Sequence, residues 1–208
     1  IRLGMIRTDV MDAQLEALAA AYKATGADVR VMAPMIATQA EAMWFAEKVR
    51  ALGLPKVGIM IEVPAAAIRS KGILYHVDFA SLGTNDLQQY TMAADRMQGE
   101  LADLLNPWEP ALLDVVALAC EGGAAMGKPV GVCGEAGGDP ALALVLTGLG
   151  VSSLSMAPGK VPAVRTSLGL HTREQCQQMA AAARAATNAA DAKAAVLDMA
   201  DPVLRDLL

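Results

Sequence analysis

The sequence predicts an α/β protein built on a parallel sheet, and two observations predict it. Apolar runs of strand length alternate with helical patterns along the 208 residues, the mark of successive βα units. The connections within such units are right-handed. Three of the apolar runs stop at residues that carry chemistry: residues 57–61 at Glu62, residues 77–82 at Gly83-Thr84-Asn85-Asp86, and residues 129–132 at Cys133. In neighbouring parallel strands these positions share the carboxyl edge of the sheet, where open and closed α/β sheets place their ligand sites.

Taken in order, residues 1–6 form an N-terminal piece, and residues 10–25 read as a helix because Met11, Leu15, Leu18 and Tyr22 recur at intervals of three and four. Gly26 ends it. A strand over 29–34 and a helix over 39–52 follow, then a strand over 57–61. Pro64 stands near the start of a short helix over 65–71. After the strand at 77–82 comes a longer connection, with a short helix after Asp86 and a longer one over 109–126. A strand at 129–132, a helix at 141–146 and a strand at 153–156 complete the alternation. Helical stretches at 161–168, 173–186 and 189–197 close the chain, and the Ala-rich tract 179–195 reads as a surface helix with a small-residue packing face. Five strands fall short of the eight of a (β/α)8 barrel, which typically needs ~250 residues. The pattern therefore leaves an open sheet or a barrel whose first part is missing. The opening Ile1-Arg2-Leu3-Gly4-Met5, without a starting Met, suits a fragment.

Composition excludes several classes. Hydrophobic residues make up 54% of the chain but aromatics only 3%, and Ala supplies much of the apolar total. No run approaches the ~18 consecutive apolar residues of a membrane span, and no export signal opens the chain, so a cytoplasmic protein without membrane insertion is expected. A net charge of −5 argues against nucleic acid as a partner, because phosphate-backbone recognition needs clustered Lys and Arg. A small phosphorylated ligand held by a few local Arg is compatible with it.

At the end of the 77–82 run, Gly83 allows close backbone approach, Asn85 can donate and accept, and Asp86 is a hard oxygen ligand. Taken alone, Asn85-Asp86 would also suit a helix N-cap. Glu62 occupies the equivalent place one unit earlier, and two carboxylates on one edge suit a divalent metal. The cysteines, Cys120, Cys133 and Cys176, are odd in number and lack paired short spacing, which excludes a disulfide framework or zinc ribbon. Cys120 reads as core. Cys133 holds the strand-end position.

Five ordered motifs now carry a resemblance. They are Val31-Met32-Ala33-Pro34-Met35, Met60-Ile61-Glu62-Val63-Pro64-Ala65-Ala66, Ser81-Leu82-Gly83-Thr84-Asn85-Asp86-Leu87-Gln88-Gln89-Tyr90-Thr91, Asp95-Arg96, and Gly131-Val132-Cys133-Gly134-Glu135. Together they resemble the phosphoenolpyruvate (PEP)-binding barrel of the Enzyme I family of the bacterial sugar phosphotransferase system, over residues 1 to about 168. Related barrels occur in PEP synthase and pyruvate, phosphate dikinase; an ATP-binding domain elsewhere in the full chain would mark those.

The resemblance implies a (β/α)8 TIM-type barrel lacking its first strands here, with residues 1–208 as its C-terminal part and the phosphohistidine and carrier-binding domains outside this chain. It implies Glu62 and Asp86 as Mg²⁺ ligands, Asn85, Asp86 and Arg96 as substrate-binding residues, and Cys133 as the general acid that protonates the enolate to pyruvate. A thiol suits that step because its pKa lies within reach of neutrality. Arg96 has as its plain alternative a surface ion pair with Asp95. Arg2 matches a second arginine of the family, and a structural ion pair is its alternative role. His76 and His171 read as boundary or surface residues rather than phospho-acceptors. The resemblance further implies a homodimer and a phosphocarrier protein as partner through the missing N-terminal domain. The alternative is a noncatalytic dimerisation or regulatory module.

Overall fold

The computed structural model describes residues 1–207. Five strands, β1 (Arg30–Ala33), β2 (Lys56–Ile61), β3 (Phe79–Gly83), β4 (Val130–Cys133) and β5 (Ser153–Leu154), form one sheet in chain order. All four pairings are parallel. Eleven α-helices are described: α1 (Arg2–Ile6), α2 (Thr8–Thr25), α3 (Gln39–Ala51), α4 (Pro64–Ile68), α5 (Ser70–Leu74), α6 (Thr84–Met92), α7 (Pro110–Met126), α8 (Pro140–Gly148), α9 (Val161–Gly169), α10 (Arg173–Ala185) and α11 (Ala189–Met199). The expected alternation is present. Among the described residues β1 and β5 do not pair with each other, so the sheet is open rather than closed into a barrel.

Strand β2 shows why the sheet forms. Val57, Ile59 and Ile61 are fully buried, and Gly58 on the opposite face is buried under Phe79. Burial of both faces is what parallel sheets between helices require. The end strands are blunted: β5 has two residues, and β1 starts with exposed Arg30 and runs into Pro34, features that oppose edge-to-edge pairing. At the amino edge Asp78 accepts the N–H of Val57 at 3.0 Å and lies 3.4 Å from Arg50 and 3.8 Å from Lys128. This cluster delays the start of β3 from the expected residue 77 to Phe79.

Helix α3 opens with a capping box in which Thr38 and Glu41 exchange side-chain and backbone bonds. Burial pushes the Glu41 carboxyl up, but the N–H groups of Ala37 and Thr38 and the guanidinium of Arg2 outweigh it and hold it below its ordinary value. The helix expected over 65–71 is instead two short helices broken at Arg69. The Ser70 hydroxyl donates to the Leu118 carbonyl at 3.0 Å, and Gly122 on α7 leaves the space that Ser70 fills, so packing on α7 turns the chain there. The Ala-rich tract falls in the two helices expected there, α10 and α11, but it is not a surface element: Met179, Ala180, Ala183 and Ala192 are buried, because small residues let α10 pack closely on α8. Four 3₁₀ turns, Gly99–Leu104, Glu135–Gly138, Pro158–Lys160 and Pro202–Leu207, were not expected from the pattern.

The closeness of α8 and α10 is set at Gly148, where an added Cβ would overlap the Cys176 carbonyl oxygen and lie 2.9 Å from the Ala180 Cβ. Gly148→Ala is expected to destabilise the fold by about 1–3 kcal/mol through overpacking. Thermal unfolding followed by circular dichroism checks this; an unchanged midpoint would show that the two helices can separate without cost.

Candidate functional site at the carboxyl edge

The parallel register brings the strand-end residues together. Ile61 pairs with Leu82 and Leu82 with Val132, while Gly83 pairs with Cys133. Glu62, Gly83 and Cys133 therefore stand on one line across the carboxyl edge. Helix α6 starts directly after Gly83, so Asn85 and Asp86 lie in its first turn. No side chain caps this helix, and its free N–H groups face the edge as anion-binding donors. Asn85 thus does not serve as the N-cap.

Glu62 is buried, with 6% of its surface exposed. Its Oε2 accepts the N–H of Met35 at 2.8 Å. The other side of the carboxylate packs over Gly83, where an added Cβ would fall 2.5 Å from Glu62 Cγ and 2.6 Å from Oε1. Only glycine admits Glu62 in this position. Burial pushes the Glu62 carboxyl above its ordinary value; the Met35 N–H pulls it down, and the nearby Asp86 charge pushes it up again. Two carboxylates close enough to repel form an arrangement that a divalent cation would relieve.

Asp86 is half-buried and forms an ion pair with Arg96, whose Nη1 lies 3.9 Å from Asp86 Oδ2. Arg96 is 52% exposed, so the pair contributes little on its own. The alternative pairing with Asp95 does not form: the Asp95 carboxylate accepts the N–H of Met97 at 2.9 Å, which turns it back onto its own loop. Cys133 is half-buried and its Sγ donates to the Leu82 carbonyl at 3.4 Å. Gly134, with φ +110°, has no Cβ to crowd Thr84 Oγ1, which would lie 2.9 Å away, or Asn85 Oδ1, 3.7 Å away. A cavity of about 1000 Å³ opens next to Gly134, lined in part by Glu135, Asp139, Ser155, Lys160 and Lys193; Glu62, Asn85, Asp86, Arg96 and Cys133 do not line it.

The other candidates make local contacts. Arg2 forms an ion pair with Glu41 at 3.1 Å while remaining 69% exposed, and it borders a recess of about 410 Å³ with Met35, Val63 and Tyr90. His76 Nε2 meets the Gln39 amide at 2.9 Å. His171 donates through Nδ1 to the Ser167 carbonyl at 2.7 Å and accepts the Asp201 N–H at Nε2, 2.9 Å away. Cys120 and Cys176 are buried, and burial pushes the Cys120 thiol up to about 12 and Cys176 upward as well. Met35 is the site residue whose role the sequence did not reveal; Gly83, expected to allow close backbone approach, makes room for the Glu62 carboxylate.

The raised pKa of Glu62 has a direct consequence for stability. Its ionised form is disfavoured by folding, so this contribution is fully present below the ordinary carboxylate value and is lost as pH rises through the raised one. In metal-free protein Glu62→Gln is expected to melt higher than wild type at pH 7–8, with the difference disappearing below about pH 4.5, the ordinary glutamate value. Paired melting curves across pH check it; a variant less stable at pH 8 would show that the Met35 bond outweighs burial.

A family model described as PEP-utilising enzyme, PEP-binding domain, matches residues 1–172. The chain is 53% identical over 188 residues to a phosphoenolpyruvate-protein phosphotransferase of Streptomyces coelicolor, covering 90% of this chain and 34% of that protein. It is 42% identical over 185 residues to a multiphosphoryl transfer protein of Xanthomonas campestris pv. campestris, covering 86% of this chain and 22% of that one. The phosphoenolpyruvate-protein phosphotransferase of Bacillus subtilis is 35% identical over 189 residues, with 85% and 33% covered. The chain thus spans about a third or less of the length of these relatives. With the family model matched over residues 1–172, the chain belongs to the PEP-binding domain family of PEP-utilising enzymes.

Proposed function

We propose that this chain binds PEP and Mg²⁺ and supports phosphoryl transfer from PEP to a histidine on another domain of the full protein. Pyruvate is released, and the reaction is the first step of a sugar phosphotransferase system. The observation that carries this reading is the meeting of Glu62, Asp86, Asn85 and Cys133 at one sheet edge, where an uncapped helix N-terminus faces them. The donor set fits Mg²⁺, which takes one or two protein carboxylates and completes its shell with water and substrate phosphate oxygens. Bound there, Mg²⁺ supplies positive charge that offsets the phosphate oxygens during transfer.

Glu62 and Asp86 hold the cation. The Asn85 amide and the first N–H groups of α6 donate to the phosphate, and the planar fork of Arg96 can pair with two oxygens at once. Once the phosphoryl group has left, the Cys133 thiol gives its proton to the methylene carbon of the enolate: a C–H bond forms, the S–H bond breaks, and solvent restores the thiol. Both histidines of this chain are engaged in hydrogen bonds, which supports an acceptor elsewhere in the protein. The names of the relatives support the same reading.

No helix among the described residues is long and apolar enough to cross a membrane; a cytoplasmic location belongs to the proposed reading. Exposed Leu3, Ile6 and Met97 offer apolar surface for the homodimer that the resemblance implies, and a phosphocarrier protein would engage the N-terminal domain that the resemblance implies outside this chain.

Calorimetric titration with PEP is expected to show binding that requires Mg²⁺ and vanishes in Glu62→Ala. Absence of binding to the folded chain, or binding indifferent to Mg²⁺ and to Glu62, would overturn the assignment of this edge. In the complete protein, Cys133→Ala is expected to bind PEP but lose exchange of pyruvate methyl protons with solvent by roughly 10²–10⁴-fold, as read by NMR. Exchange at the wild-type rate would remove Cys133 from the acid role.

A further inference from the structure

The two oxygens of the Glu62 carboxylate have different surroundings. Oε2 accepts the Met35 N–H at 2.8 Å, whereas Oε1 packs over Gly83, the residue from which α6 starts toward Asn85 and Asp86. Met35 reaches Glu62 because its backbone is left-handed, with φ +54°. Residues other than Gly, Asn and Asp seldom adopt that conformation. Here the chain is fixed on both sides of it: Ala33 is paired with Ile59 in the sheet, and Ile36 is fully buried. The turn between them aims one peptide N–H along the carboxyl edge.

We infer that Met35 is a positioning residue whose left-handed backbone holds Oε2 of Glu62, so that Oε1 alone is presented to the cation. The inference rests on the PEP and Mg²⁺ reading given above. A carboxylate restrained in this way ligates through one oxygen, which suits the octahedral shell of Mg²⁺; the larger, more flexible shell of Ca²⁺ also accepts both oxygens of one carboxylate. The working part is the peptide N–H and the turn that aims it, not the thioether.

This makes an ordering that side-chain packing would reverse. Met35→Gly and Met35→Asn keep the N–H and tolerate a positive φ, so both are expected to keep wild-type Mg²⁺-dependent PEP binding. Met35→Val and Met35→Ile are β-branched and resist the turn; they are expected to weaken it about 10–100-fold, the usual range for a partner that orients a metal ligand, and to narrow the preference for Mg²⁺ over Ca²⁺. Calorimetry on the four folded variants reads the order. Binding lost in the Gly variant but kept in the Ile variant, or equal in all four, overturns the inference. A second measurement needs no ligand: the Met35 amide is expected to be protected from hydrogen exchange in wild type and to lose that protection in Glu62→Ala, and unchanged protection also overturns it. If Glu62→Ala itself leaves Mg²⁺-dependent PEP binding intact, the functional reading fails instead, whatever the order of the Met35 variants.

Discussion

A carboxylate buried at the end of a central strand is the constraint on which the rest of this edge depends. Removing a charged group from water is costly unless it gains hydrogen bonds or an opposite charge; Glu62 has one backbone donor, a second carboxylate nearby and the weaker opposing pull of the Ile1 ammonium, and burial still outweighs them. The surrounding structure accommodates that imbalance in two ways. Gly83 gives up its side chain so that Glu62 fits, and Met35 adopts a conformation uncommon for its type so that one N–H reaches it. The balance left over is electrostatic. It makes the edge receptive to positive charge.

The two edges of the sheet are built on opposite principles. At the amino edge, Asp78 is compensated by the Val57 N–H and by Arg50 and Lys128, which fixes where β2 and β3 begin. At the carboxyl edge, among the described residues, Asp86 has an exposed arginine 3.9 Å away as its ion-pair partner and no side chain caps α6. Because β2, β3 and β4 are locked in register, fixing one end of the strands fixes the positions of the groups at the other.

The parts of this arrangement that the sequence made legible depend on local pattern. Glu62, Asp86 and Cys133 each interrupt an apolar run, and a polar residue after a buried strand reads as an edge position without knowledge of its neighbours. Asn85 and Asp86 looked equally suited to capping α6, and only the three-dimensional start of that helix at Thr84 separates the two roles. The break at Arg69 was hidden because it depends on Ser70 meeting Leu118 and Gly122, far along the chain. Met35 was hidden for a related reason. Nothing about a methionine after a proline announces a left-handed backbone; its conformation follows from Ala33 and Ile36 being held in the fold.

Strand order that repeats chain order also bears on how the molecule is made. Each strand emerging during synthesis finds its partner already present, with no need to wait for a distant segment, and contacts of short sequence separation close fastest. Glu62, then Asn85 and Asp86, then Cys133 would join the growing edge in the order in which they are translated, on a sheet extended one strand at a time. The strands that carry the polar edge precede α10 and α11 in the chain, and α11 then adds Lys193 to the lining of the cavity next to Gly134.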